Sequence, residues 1–123
     1  MSKKHLRLAH YNENIIVDQF WKKGYPAIRI PISGAGRFKG DVLAFGNHII
    51  YLRLVRRTDG DKVVFRKEDV KEVMDLANKI SQLIYPISVE VGYDVHFAKK
   101  RKWISGTLSY YWDGKDVVVK CKG

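Results

Sequence analysis

Between Asp41 and Val55 the chain has little choice but to fold back on itself. Asp41 to Phe45 is a short β-prone run, Gly46-Asn47 is a tight-turn pair, and His48 to Val55 is rich in β-branched and aromatic residues. A hairpin here fixes two neighbouring strands of a sheet, and the flanking segments must supply whatever covers it. Upstream, Leu8, Tyr11 and Ile15 follow i, i+3, i+7 spacing, and Ile16 and Phe20 widen the same apolar face. That pattern predicts a helix from Leu8 to Lys23, with Lys22 and Lys23 at its C-terminal end and Gly24 as a left-handed cap. Tyr25 to Ile32 reads as a strand in which Ile28, Ile30 and Ile32 alternate with Ala27, Arg29 and Pro31, the prolines placing it near an edge.

Downstream, Asp59-Gly60 marks a turn and Lys62 to Phe65 a short strand. From Lys67 to Gln82 the apolar positions Val70, Val73, Met74, Ala77 and Ile80 share one helical face, with Glu68 and Asp69 in the first turn, where negative charge is favoured. Ile84 to Val91 is expected as a strand. Beyond it the chain turns aromatic and β-like: Val95, Phe97, Trp103, Tyr110, Tyr111, Trp112, a turn at Asp113-Gly114, and a last strand from Asp116 to Cys121. This order predicts one domain over residues 1–123, of mixed α/β (α+β) class, built around a single sheet.

Charge narrows the partners. Lys and Arg number 23 against 13 Asp and Glu, a net charge of +10 with a pI near 9.8. Small soluble domains usually manage with about 2–8, so the excess points to a polyanion, nucleic acid before an anionic membrane surface. The clusters are Lys3, Lys4 and Arg7; Arg37 and Lys39 beside the glycines of the 33–40 loop; Arg56 and Arg57; and Lys99, Lys100, Arg101 and Lys102. These are the expected DNA contacts, made to the backbone without sequence reading. Trp103, Tyr110, Tyr111 and Trp112 suit stacking on unpaired bases, but are expected first in a core or a subunit interface. Cys121 is the only cysteine, so no intramolecular disulfide is possible. With no apolar run near ~18 residues and no signal-peptide pattern, no membrane contact is expected and the reading is intracellular, in the cytoplasm. The four histidines show no metal-site spacing, although His10 stands three residues before Glu13.

One constellation carries more than composition does. Glu13 lies on the first helix, Ser33 in the glycine-rich loop, and Asp41 at a strand start, followed by Leu52-Arg53-Leu54-Val55 in the returning strand. Together with Lys23-Gly24-Tyr25, Arg29 to Gly34, Gly40 to Ala44 and the helix from Glu68 to Ala77, this layout resembles the archaeal Holliday junction resolvases. The resemblance covers about residues 9–91 and leaves 92–123 as a divergent β-rich extension. It implies a restriction-endonuclease-like core, a central mixed sheet flanked by helices, a two-fold dimer, and DNA, above all four-way junctions, as partner. It also implies that Glu13, Ser33 and Asp41 fall on functional positions. At the second metal-binding carboxylate stands Arg53, at the lysine Val55, and Asp69 replaces a glutamine frequent on the second helix.

Those departures concern one site, because residues 53 and 55 of a strand point to the same face. Metal-dependent phosphodiester hydrolysis needs hard oxygen ligands around Mg²⁺ or Mn²⁺, and a guanidinium neither coordinates metal nor deprotonates. The expectation is a DNA-binding pseudonuclease needing no cofactor, with Arg53 in the vacated metal position paired to Asp41 and also Glu13. One alternative is an active endonuclease that holds Mg²⁺ or Mn²⁺ on Glu13 and Asp41 and recruits Asp59, Asp61, Glu68 or Asp69. Another is a regulatory subunit pairing with an active resolvase or another recombination or repair protein. Charge alone does not separate DNA from RNA.

Overall fold

The computed structural model describes residues 3–31 and 37–122, with side chains from residue 10 onward. Its elements are α1 (Lys3–Lys22), β1 (Ala27–Arg29), β2 (Val42–Phe45), β3 (Ile49–Thr58), β4 (Lys62–Phe65), α2 (Lys67–Ile84), β5 (Ser88–Phe97), a 3₁₀ turn at Ala98–Lys100, β6 (Lys102–Thr107) and β7 (Val117–Lys120). Five strands form the main sheet in the order β1-β2-β3-β5-β6, and β4 and β7 form a second, two-stranded sheet. The main sheet is mixed: β3 and β5 run parallel over ten residues each, and the other neighbours are antiparallel. The mixed α+β class and the helix-flanked central sheet expected from sequence are therefore present.

Alternation along β3 divides the structure into two layers. Leu52 and Leu54 enter the main core with Val70, Val73 and Ala77 of α2, Val91 and Val95 of β5, and Phe65. Val55, one residue out of phase with them, packs with Val42 and with Ile16 of α1. So α2 covers one face and α1 the other, as the side-chain period of two requires. Among the described residues no helix is long and apolar enough to cross a membrane.

Helix ends depart from the sequence reading in instructive ways. α1 begins five residues before the apolar periodicity does, at Lys3, while Gly24 takes the left-handed conformation as its cap (φ 88°). No side chain of Arg66, the residue before α2, caps that helix. Instead Asp116, fifty residues away in sequence, accepts a hydrogen bond from the Lys67 amide at 2.8 Å. The strand expected over Tyr25–Ile32 contracts to Ala27–Arg29. The one expected from Ile84 starts only at Ser88, because α2 runs on to Ile84 and a turn through cis Pro86 intervenes. Tyr110 and Tyr111 are not core residues: both are about four-fifths exposed. Trp103 and Trp112 do pack, Trp103 against the α1 layer and Trp112 against the main core.

The topology gathers distant segments at one end of the main sheet. β3 and β5 both run toward that end, and β1 finishes there at Arg29, while β2 and β6 start there. α1 passes Glu13 within electrostatic reach of Asp41 and brings Phe20 against Tyr51 near the start of β3 (ring centroids 5.4 Å apart). Two basic stretches that are scattered in sequence lie at that end, Arg56-Arg57 near the end of β3 and Lys99 to Lys102 between β5 and β6.

Gly92 of β5 sits opposite Arg53, and a Cβ at that position would collide with the Arg53 guanidinium and lie 2.6 Å from the Gly106 carbonyl oxygen. Gly92→Ala is expected to cost about 2–3 kcal/mol, as overpacking of a rigid site does. The urea midpoint of unfolding, at unchanged slope, measures it.

Candidate functional site

Asp41 immediately precedes β2, whose pairing with β3 begins at Val42 and Arg53. Its amide donates to the Arg53 carbonyl at 2.9 Å, and its Oδ2 accepts the Val55 amide at 2.9 Å. The carboxylate thus satisfies an N–H that β2 starts too late to reach. The same oxygen accepts Nη1 of Arg56 at 2.6 Å, and that nitrogen also donates to the Val55 carbonyl at 2.9 Å. The Arg56 guanidinium lies over the Phe65 ring, 5.4 Å from its centroid, which fixes its plane.

Glu13 is buried, and its Oε2 has no hydrogen-bond partner among the described residues. Desolvation, helped by the neighbouring Asp41 charge, pushes its pKa from 4.5 up to about 7, against the opposing pull of Arg29 and Arg56. At neutral pH the site thus holds a carboxyl poised between its two protonation states, a carboxylate locked by backbone and arginine, and two arginines. Asp41 Oδ2 is already committed, and among the described residues no three His, Cys, Asp or Glu side chains gather to hold a metal.

The pair expected between Arg53 and Asp41 does not form. Arg53 turns toward β5, where Nε donates to Asp94 Oδ2 at 3.0 Å and Nη2 donates to Asp94 Oδ1 at 3.1 Å and to the Tyr93 carbonyl at 2.8 Å. Ser105 of β6 donates to Asp94 Oδ1 at 2.5 Å. The reason lies in the register. Arg53 faces Gly92, which offers space, with Asp94 two residues on along the same face. Asp41 meanwhile is drawn one step further along β3 by the Val55 amide. Val55 itself is buried against Ile16 and Val42 and offers no polar atom to the site.

Of the other sequence candidates, Ser33 lies outside the described residues, and the side chains of Lys3, Lys4 and Arg7 do as well. Arg37 is exposed, Lys39 reaches Glu72 at 3.5 Å, and Arg57 reaches Asp59 at 3.4 Å. Lys99, Arg101 and Lys102 are exposed in the β5–β6 turn, while Lys100 donates to the Cys121 carbonyl at 3.2 Å. Glu68 and Asp69 stand exposed at the start of α2, on the opposite face from Glu13, and Asp59 and Asp61 are exposed in the β3–β4 turn. None of these four carboxylates is among the groups that perturb Glu13.

Four residues of the site escaped the sequence reading. Arg29 and Asp94 have no local motif, because their partners are 16 and 41 positions away. The other two are Asn12 and His96. Nδ1 of His96 meets Asn12 Oδ1 at 2.8 Å, and the imidazole stacks flat on Trp103 (centroids 4.7 Å, planes 6° apart). Burial and the nearby Arg57 lower its pKa, so the ring is neutral at pH 7 and, with its Nδ1 proton held by Asn12, leaves Nε2 as an acceptor.

The site is thus a helix carboxyl, a strand-start aspartate and a strand arginine at one end of a mixed sheet, and the sequence around it answers to a known pattern. The family model for the archaeal Holliday junction resolvase (hjc) matches residues 7–99. The chain belongs to that family. The match begins near the residues where the resemblance was read and runs on through β5, so it takes in Asp94 and His96. The solved structure of Archaeoglobus fulgidus Hjc, a Holliday junction resolvase from an archaeal hyperthermophile, superposes with a TM-score of 0.63 at 16% identity, over 88% of this chain and 83% of that one. At that identity the likeness speaks for the fold, and the resolvase fold is what it shows. No curated protein sequence matches the chain.

The buried pair and the buried acid each make a prediction. Asp94→Ala leaves the Arg53 guanidinium without its carboxylate and is expected to cost about 3–5 kcal/mol, read from the unfolding midpoint. For Glu13, a folded pKa of about 7 against 4.5 unfolded means that the folded state holds the proton more tightly. Stability is then full below about pH 4.5 and falls as pH rises toward and past 7, by about 3 kcal/mol in all. Glu13→Gln should abolish that fall and exceed the parent in stability at pH 8. A parent stability that is flat from pH 5 to 8 would contradict the burial of an ionisable Glu13.

Proposed function

We propose that this chain binds DNA, branched or duplex, through its phosphate backbone at the basic end of the main sheet, and that it does not cleave it. The observation that carries this reading is the 2.6 Å contact of Arg56 on Asp41, with Arg53 occupying the position of the second carboxylate. The Arg56 guanidinium occupies the Asp41 oxygen from which a divalent ion would have to draw, so that carboxylate is neutralised without a metal. What remains is a positive rim around a neutralised centre, which suits phosphate binding and lacks the hard oxygen donors of metal-assisted hydrolysis. Membership of the resolvase family favours four-way junctions among DNA structures.

Self-association accompanies this reading, since a two-fold dimer matches the symmetry of a junction. Leu83, Tyr85, Tyr110 and Tyr111 are each between about three-quarters and nine-tenths exposed, and Tyr85 and Tyr110 line one shallow cleft on the α2 side. Such a patch supports a protein contact, with a second copy or with a subunit of a recombination or repair complex. The family relation and the basic surface both suit an intracellular site of action.

The deciding titration sets a four-way junction against a linear duplex of matched length, at 50 and 200 mM salt, with Mg²⁺ or Mn²⁺ present. Expected is junction-preferring binding that weakens steeply with salt and leaves the DNA intact. Lys99→Ala with Lys102→Ala should reduce the salt slope by about 2 and weaken junction and duplex alike. Metal-dependent cleavage, abolished by Asp41→Ala, would overturn the inactive reading. Failure to bind either DNA would transfer the function to the tyrosine patch and a protein partner.

A further inference from the structure

We infer that the cleft between α1 and the middle of the main sheet is a binding site for one nucleoside monophosphate unit. That unit comes either from DNA, as a nucleotide swung out of its stack, or from solution. The first source rests on the DNA-binding reading above; the second does not.

The cleft holds about 250 Å³, below the ~300–1,000 Å³ of sites for drug-sized ligands, so it takes a single small unit and no stretch of duplex. One wall is aromatic. Tyr51 stacks on Tyr25 with centroids 6.2 Å apart and meets Phe20 at 5.4 Å, which makes a three-ring platform. Burial, and the charge of nearby Glu90, hold the Tyr51 hydroxyl protonated and so available as a donor.

The other features are polar: Gln19, Ser105, the Arg53–Asp94 pair and the cation of Lys23. Lys23 sits 5.8 Å from the Phe20 centroid at the rim, and no carboxylate pairs with it among the described residues. Arg53 lines the cleft with one-tenth of its side chain exposed. Its Nε and Nη2 are spent on Asp94 and Tyr93, whereas Nη1 makes no hydrogen bond to any described residue. The guanidinium is therefore oriented in advance, with donors to spare, so little ordering remains when an anion arrives.

These features select one ligand chemistry. An apolar molecule would desolvate the Lys23 ammonium and leave the Arg53 Nη1 donors unmet. A bare phosphate would leave the aromatic platform unused, and a bare base would leave Lys23 and Arg53 unused. An aromatic ring carrying a phosphate uses both, stacking as bases do on tyrosine and phenylalanine in single-strand sites. A chain with a net charge of +10 and a basic sheet end draws nucleic acid close, and in that setting the aromatic phosphate is a nucleotide.

The test follows the Arg53 Nε–H resonance and the tyrosine ring signals while deoxyadenosine monophosphate, deoxyadenosine or inorganic phosphate is added. The monophosphate should give saturable shifts at least about tenfold tighter than either fragment, as two charge-assisted contacts and a stack require. Lys23→Ala and Tyr25→Leu leave the Arg53–Asp94 pair untouched, and each should weaken the monophosphate about tenfold. The DNA arm compares a duplex carrying one unpaired 2-aminopurine with the same duplex fully paired. Expected is tighter binding of the unpaired form with a change in its emission, both lost in Tyr25→Leu, while paired-duplex affinity stays the same. Saturable monophosphate binding with no preference for the unpaired duplex assigns the cleft to free nucleotides. Monophosphate shifts that do not saturate, or that survive both substitutions, overturn the inference even if DNA still binds. Monophosphate binding by a protein that retains no DNA sinks the DNA reading alone.

Discussion

Arg53 and Asp94 are the interaction on which the middle of the sheet depends. A buried ion pair repays its desolvation only when geometry is good and the remaining donors and acceptors are satisfied. Here the carboxylate takes two guanidinium nitrogens and the Ser105 hydroxyl, and the guanidinium also reaches the Tyr93 carbonyl. Three adjacent strands, β3, β5 and β6, are tied by that one network. It needs Gly92 beneath it, because any side chain there would occupy the place of the guanidinium. Arg53 is therefore a structural tie between strands. A carboxylate at this position would face Asp94 across the sheet with no counter-charge between them.

A second balance operates at the sheet end. In a metal-dependent site a mobile divalent ion offsets the acids. In this chain Arg56 and Arg29 offset them permanently, and Glu13 contributes by holding its proton close to neutral pH. The two arrangements place similar charge in similar space. They differ in what can change: an ion can be lost or exchange its waters, whereas a guanidinium stacked over Phe65 cannot.

How much of this could be read in the sequence depended on the range of the signal. The hairpin, the turn at Asp59-Gly60, β4 and the core face of α2 are encoded by neighbours within a few residues, and they appear where periodicity placed them. The family layout was also legible, since Glu13 and Asp41 are spaced by local elements. What periodicity could not show was who pairs with whom. Arg53 faces β5 and Asp41 is taken by Arg56 because of strand register and a single glycine, and both were settled by contacts from 15 to 41 residues apart. That Tyr110 and Tyr111 lie outside the core has a related reason. Aromatic character gives no direction, and Tyr110 sits in a turn at positive φ (79°) that throws both rings outward.

The small sheet of β4 and β7 bears on how the molecule comes into being. Phe65 ends β4 inside the main core, and Val119 and Cys121 close over that core from β7. β4 is made early, yet its strand partner β7 arrives some fifty residues later, and Asp116, which caps α2, arrives with it. During synthesis the hairpin and α2 must therefore wait, with one edge unpaired and one helix end uncapped, for the segment that seals both. A ribosome stalled before residue 117 would hold a chain whose elements exist but whose core stands open. Such a half-made product is a target for chaperones and proteases, and only completion through β7 withdraws it from them.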